Sequence, residues 1–452
     1  MAVRDFDVVV AGAGAAGLTA ALAAAQRDRS VLLVEAHENY REACNTALST
    51  AMIPGAGSRW QREHGIDDSP ERFLADVNAK TGDQVDPVVA SALTSVSAEV
   101  VEWLVDECGV ELELVTDFTY PGHTAHRCHA VADRSGRTLH SQLLAALSGR
   151  SEVTFAVPMR LLDVTLDELG EVGGAVVAAP GGDPEPATSD AVILATNGFG
   201  ARPDLVRRHM PEIADAIYFG GHGSTGDALE IGTRLGADTG FLDAYQGHGA
   251  VADPHGVMAT WAAVMHGAVV VNERGERFGD ETIGYSEYAA LVLAQPGGHA
   301  WLIIDERIDG ACRRFTDYQR LVEMRAIRWA DDGPALERLI GPGSQIERTL
   351  AGVTTAIGGG ADEFGRTFET ELTPPYGAIR VTGALFHTQG GVLVSPRAGV
   401  LRDGAEVPGL FAAGGAAAGM SGHGASGYLA GNGLLAAVGL GYLAGRQSAA
   451  PV

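Results

Sequence analysis

Cysteine is scarce. Cys44, Cys108, Cys128 and Cys312 are scattered through 452 residues. No pair has CxxC spacing, which excludes a zinc site, a haem attachment site or an iron–sulfur set. A reduced, cytoplasmic chain is expected. Basic residues are also few: 32 Lys and Arg face 57 Asp and Glu, for a net charge of −25. Such a surface repels nucleic acid and anionic membrane. Long apolar runs are missing too. The most apolar stretch, 429–445, contains Gly431, Gly433, Gly439, Gly441, Gly445 and Asn432, so a buried helix is expected there and no membrane span. No signal peptide is expected, because the first strand starts by Asp7. There is no internal repeat and no low-complexity tail. Glycine is abundant, at 61 residues, without a Gly-X-Y period. The surplus must serve tight turns and close approach of backbone to a ligand. Length suggests two or more domains.

The run DFDVVVAGAGAAGLTAALAAAQ opens with an apolar β-branched stretch, breaks at Gly12-Ala13-Gly14-Ala15-Ala16-Gly17 and continues as an alanine-rich helix. SVLLVE follows and ends at Glu35. Strand, glycine turn, helix, strand and acid in this order predict a dinucleotide site. Gly12 makes the turn, Gly14 admits a pyrophosphate and Gly17 lets helix and strand pack. Free N–H groups at the helix start would hold the phosphates. Glu35 would accept hydrogen bonds from a ribose and repel a 2′-phosphate, leaving FAD or NAD. DAVILATNGFG and VPGLFAAGGAAAG are two more strand–glycine units. The nucleotide fold therefore opens and closes the chain, at 1–243 and 388–452, with a second domain inserted at 244–387. The class is α/β, a Rossmann-like domain with an inserted α+β cap. Segment 170–189 reads as a hairpin or surface loop.

At this point the chain resembles the flavoprotein family of soluble fumarate reductases and 3-ketosteroid dehydrogenases. The resemblance rests on GAGAAG, NTALSTAMIPGAGSRWQ, LATNGFG, STGDAL, VNERGERFGDE, HTQGGVLV and GHGASGYLAGNGLL in the same order. It implies an inserted cap and hydride transfer between the flavin N5 and a C–C bond beside an electron-withdrawing group. It places FAD at Gly12, Gly14, Ala15, Ala16 and Gly17, at Glu35 and Ala36, and at Asn45, Thr46 and Ala47. Further contacts fall on Ala195, Thr196, Asn197, Asp227, Gly414, Gly431, Asn432 and Leu434. No histidine stands where some members link FAD covalently, since His37 is too close to Glu35, so FAD is expected to bind non-covalently. The acid usual after the last AAG is replaced by Gly415.

Fumarate-reducing members need one arginine to deliver a proton and another to clamp a carboxylate. Their positions fall here on Tyr285 and Tyr428, and the relay glutamate and arginine fall on Trp261 and near Val264. A guanidinium matches a carboxylate, whereas a phenol suits one carbonyl oxygen. The tyrosines resemble those of the ketosteroid dehydrogenases. The resemblance makes Tyr285 the base for the α-proton, with Tyr120 sharing its proton, and makes Tyr428 and the Gly431 N–H polarise the ketone. His248, Thr260, Trp261 and His387 would contact substrate, with Trp261 a pocket wall. His248 and His387 suggest a second substrate oxygen, as in a small oxo-cyclohexane carboxylate.

The leading expectation is an FAD-dependent dehydrogenase desaturating a cyclic ketone, with an external electron acceptor. An ene-reductase acting on an unsaturated acid or ketone, and a flavin-binding electron carrier or sensor, stand beside it. His123, His126 and His129 lack the acids and helical register of a metal site, and no metal is expected. Arg127 faces either the cofactor or an acid.

Overall fold

The computed structural model describes residues 4–448. Val8–Ala11 (β1) is fully buried, as strands of a parallel sheet covered on both faces must be. β1 pairs in parallel with Val31–Val34 (β2) and Ala191–Leu194 (β4). Val153–Ala156 (β3) extends the sheet beyond β2. Ala405–Ala412 (β9) extends it beyond β4 in parallel, and Gly399–Arg402 (β8) closes that edge antiparallel. Helix Ala15–Ala25 (α1) connects β1 to β2. Segment 170–189 lies in a three-stranded antiparallel sheet, Arg160–Leu166, Val172–Ala178 and Glu185–Thr188, in keeping with the expected hairpin.

The second large sheet is built on Tyr376–Thr388 (β7), flanked antiparallel by Tyr245–Ala252 (β5) and His299–Asp305 (β6). Ile217–Tyr218 adds to β7 in parallel, from upstream of residue 244. Helix Tyr285–Leu293 (α2) packs on β5 and β7. Two main cores result, one around β1 and α1 and one around β6. Lys80, on helix Pro70–Thr81, donates to the Ile283 carbonyl at 2.7 Å and pairs with Glu287 of α2. This ties the helix that carries Tyr285 to the nucleotide half.

Helix Asn432–Gln447 (α3) is buried, as expected for 429–445. It meets α1 backbone to backbone. A Cβ on Gly441 would lie 2.5 Å from the Ala16 carbonyl oxygen, and one on Gly445 2.3 Å from that of Ala20. Helix Pro87–Asp106 is long and apolar enough to cross a membrane by composition. Its Val89, Leu93, Val100 and Leu104 are buried in the first core.

One buried charge cluster holds the cap. The Glu281 side chain is fully buried between Arg277 and Arg366, which donate to it at 2.6 and 2.8 Å, and it also accepts the Val270 N–H at 3.0 Å. Burial opposes its charge, but the Arg277 hydrogen bonds and the two guanidinium charges win and hold the carboxyl below its usual range. Glu281→Gln would leave two buried cations under-compensated, at a cost of about 3 kcal/mol or more. Because the folded pKa is depressed, this contribution is complete above the unfolded value near ~4.3 and is lost as pH falls through the folded value. Urea unfolding should show the gap between wild type and variant at neutral pH and its shrinkage in acid.

Candidate active site

A cavity partly open to solvent runs from the β1–α1 turn to the cap sheet. Its lining includes both the glycine turn and the cap tyrosines, so a dinucleotide at one end can meet a substrate at the other.

At the nucleotide end Gly12 has φ +108, and a Cβ there would stand 2.3 Å from the Ala195 carbonyl oxygen. Gly14, Ala15 and Ala16 line the cavity. Gly17 does not; its Cβ would fall 1.8 Å from the Gly12 carbonyl oxygen, so it works by packing and not by ligand contact. The Ala15 N–H, expected to be free for phosphate, donates to Thr46 Oγ1 at 2.9 Å. His140 Nε2 donates to the Ala13 carbonyl at 2.7 Å and holds the turn. Glu35 lines the cavity with Ala36, its carboxylate steadied by the N–H groups of Ala13 at 2.9 Å and His37 at 2.8 Å.

Asn45, Thr46, Ala195, Thr196, Asn197, Asp227, Gly414, Gly431 and Leu434 also line the cavity. Ala47 is buried behind it, with its N–H on Cys44 Sγ at 3.4 Å. Asn432 is likewise outside the lining, fully buried in the first turn of α3. Ala47, Asn432 and Gly17 of the expected contact set are thus outside the lining residues, although both amide atoms of Asn432 are buried without a protein partner. Asp227 pairs with Arg160 through both oxygens, at 3.0 and 2.7 Å. Gly415 has a structural reason that its sequence position hid. A Cβ there would lie 2.3 Å from Asn197 Oδ1, so the Asn197 amide occupies the space that a side chain at 415 would need. Thr196 Oγ1 is buried with no protein partner. An orphaned hydroxyl beside a glycine turn fits a bound dinucleotide.

At the cap end three segments bring tyrosines together. The rings of Tyr285 and Tyr428 lie 6.0 Å apart, and those of Tyr120 and Tyr285 5.9 Å apart. His248 is 5.1 Å from Tyr285 and His387 is 5.7 Å from Tyr428. Burial, then the neighbouring Tyr428 and Tyr120, hold the Tyr285 phenol well above its ordinary pKa. Burial also raises Tyr428, although the Gly433 and Gly431 N–H groups and the Tyr285 hydroxyl face its oxygen and oppose this. Tyr120, expected to share the Tyr285 proton, lies beside it and adds to burial in raising its pKa.

The histidines are neutral. Burial lowers His248 to about 3 and His387 to about 4. His248 Nδ1 accepts the Ala250 N–H at 3.1 Å, and His387 Nδ1 accepts from Gln389 Nε2 at 2.7 Å, whose Oε1 takes the Ser421 hydroxyl at 2.8 Å. The Ala250 N–H assigns the His248 proton to Nε2; His387 Nδ1 also lies 3.3 Å from the Thr388 carbonyl oxygen, and the shorter bond from Gln389 favours the same tautomer there. Each imidazole is thus an uncharged donor. Gln389, Gln246 and Phe386 also line this end, and the sequence singled out none of them. Thr260 lines it at φ +45. Trp261 is buried against His248, with its indole N–H on the Glu281 carbonyl at 3.2 Å. The Val264 carbonyl takes Arg366 at 3.1 Å, so neither relay position offers a group that carries a proton. Among the described residues lining the cavity the one arginine is Arg160, held by Asp227. Arg127 faces acids and not the cavity, chelating Asp68 and pairing with Asp76. His126 contacts Thr119 and His129 contacts Ser58, each away from the other.

Comparison with known proteins agrees with this geometry. A family model described as an FAD binding domain matches residues 7–434. A fumarate reductase (cytochrome) of Shewanella frigidimarina is 29% identical over 98% of this chain and 77% of its own. The open conformation of a flavocytochrome c3 fumarate reductase superposes with a TM-score of 0.79 at 26% identity, covering 98% of this chain and 78% of that one. A 3-ketosteroid-delta4-(5alpha)-dehydrogenase from Rhodococcus jostii RHA1, in complex with 4-androstene-3,17-dione, superposes with a TM-score of 0.77 at 25% identity, covering 100% and 98%. The dinucleotide turn, the orphaned Thr196 hydroxyl and the family match lead to one conclusion: the chain belongs to the FAD binding domain family and is an FAD-dependent oxidoreductase.

Proposed function

We propose that this enzyme desaturates the α,β C–C bond of an uncharged cyclic ketone. The carrying observation is a substrate end lined by three phenols and two neutral imidazoles, with no free guanidinium or ammonium among the described lining residues. A dicarboxylate would meet no counter-charge there. A ketone oxygen would meet single neutral donors. We assign residues 244–387 as the cap that closes this end. Bound FAD supplies the hydride acceptor and passes the electrons to an external carrier.

Tyr285 takes the α-proton and Tyr428 with the Gly431 N–H donates to the forming enolate oxygen. Donors aimed at such an oxygen contribute roughly 10²–10³ each in rate. The Nε2–H groups of His248 and His387 suit a second, neutral oxygen, which argues against the carboxylate of an oxo-cyclohexane acid. Length does not decide between a small ring and a steroid, because the Rhodococcus enzyme is covered over 98% of its chain.

Anaerobic mixing with a panel of ketones tests the reading. Flavin bleaching by androstenedione or by a simple cyclohexanone supports it, and the more active one sets the ring size. 4-Oxocyclohexanecarboxylate should be the poorest donor. No bleaching by any saturated ketone, with reoxidation of reduced enzyme by an enone, supports ene-reduction instead. One observation favours that second reading: the raised Tyr285 pKa keeps the phenol protonated, ready to donate.

The same shift sets a pH dependence. Desaturation needs the phenolate, so kcat/KM for the ketone should rise about tenfold per pH unit below the Tyr285 pKa. A flat profile through the neutral to mildly alkaline range would remove Tyr285 as the base.

A further inference from the structure

A buried chain of hydrogen bonds lies behind the wall that carries Tyr428 and Gly431. Arg127, with its side chain fully buried, chelates Asp68 at 3.0 Å through two nitrogens and pairs with Asp76. Its remaining reach goes to His123 Nδ1, at 3.1 Å. His123 Nε2 lies 3.0 Å from the Ala430 carbonyl oxygen, and Cys128 Sγ lies 3.9 Å from the same oxygen. A guanidinium has only donors, so His123 Nδ1 must accept. Its proton is therefore on Nε2, and it is donated to Ala430. Burial and the Arg127 charge keep the imidazole neutral, which leaves this tautomer unchallenged.

The Ala430–Gly431 peptide is not among the cis bonds. In a trans peptide the C=O and the next N–H point in opposite directions. Holding the Ala430 carbonyl back toward His123 therefore turns the Gly431 N–H forward, into the cavity that Gly431 lines and toward the Tyr428 oxygen. Gly431 itself is pressed in place, since a Cβ there would meet Pro54 Cδ at 2.6 Å. We propose that His123 is a positioning residue: anchored by Arg127, Asp68 and Asp76, it clamps the Ala430 carbonyl and so aims the Gly431 N–H at the oxygen that becomes negative in the reaction. The clamp rests on the ketone reading for the identity of that oxygen.

The test uses FAD-loaded enzyme and two variants. His123→Leu keeps bulk and removes the donor; His123→Gln retains an N–H donor. 4-Nitrophenolate serves as a stable planar oxyanion in place of an enolate, with its binding followed through the flavin spectrum. In His123→Leu we expect kcat for the ketone to fall about 10–100-fold, on the scale of a weakened oxyanion donor, with KM little changed. Nitrophenolate affinity should fall by a similar factor at unchanged FAD content. His123→Gln should recover most of both. Unchanged kcat and nitrophenolate affinity in His123→Leu, with an active wild type, overturn the clamp and leave the ketone reading standing. Losses tracking FAD loss, or equal losses in Gln and Leu, make His123 a packing residue and also overturn it. If wild type neither bleaches with ketones nor binds nitrophenolate, the ketone reading fails and the clamp falls with it.

Discussion

Tyr285→Phe is expected to hold FAD with an unaltered visible spectrum and to turn over ketone at least ~10³-fold more slowly, within the range of a lost general base. The substitution removes one oxygen from a ring that packs between Tyr120, His248 and Tyr428, so the wall keeps its shape. None of the groups expected to contact FAD at the β1–α1 turn is touched. Substrate binding should therefore change little, and the loss should fall on kcat. Stopped-flow reduction of the flavin under anaerobic conditions isolates the step. Retention of more than about a tenth of the wild-type rate would show that another group removes the proton. Tyr120, whose ring lies 5.9 Å from that of Tyr285, is a phenol placed to take over, and Tyr120→Phe in the same background would reveal it.

Gly12→Ala should give a protein without flavin. The added Cβ would stand 2.3 Å from the Ala195 carbonyl oxygen, at a φ of +108 that L side chains rarely adopt. Relief requires β1 to move away from β4, yet the two are paired from Val8–Ala191 to Ala11–Leu194. The turn that should meet the pyrophosphate would shift with it. The purified variant should lack visible flavin absorbance and fail to regain it on incubation with excess FAD. A yellow, fully loaded Gly12→Ala protein would contradict the geometry of the turn.

The β1–α1–β2 unit was legible because a parallel strand, a glycine turn and an alanine helix each leave a local pattern. Gly17 shows the limit of that pattern. Motif spacing placed it among the FAD contacts, while its packing against Gly12 uses all its space. Asn432 and Ala47 are buried outside the cavity lining, and a motif gives position along the chain, not depth. The meeting of Tyr120, Tyr285 and Tyr428 came from the family resemblance, since nothing local in three distant segments announces contact. The neutrality of His248 and His387 could not be read at all, because burial and the Nδ1 partners set it. The Asn197 amide filling the space at Gly415 is another nonlocal fact, joining two strand ends far apart in sequence.

The seating of α3 on α1 through Gly441 and Gly445 bears on synthesis. A ribosome releases the opening βαβ unit long before it makes the helix that covers it, and nascent domains tend to fold in order of emergence. Here the opening unit must wait, with its alanine face unsheltered, while the intervening residues emerge. Chaperone dependence should therefore concentrate in the unfinished polypeptide, and release of a chain halted just before Asn432 should yield aggregate in place of a cofactor-loaded fragment.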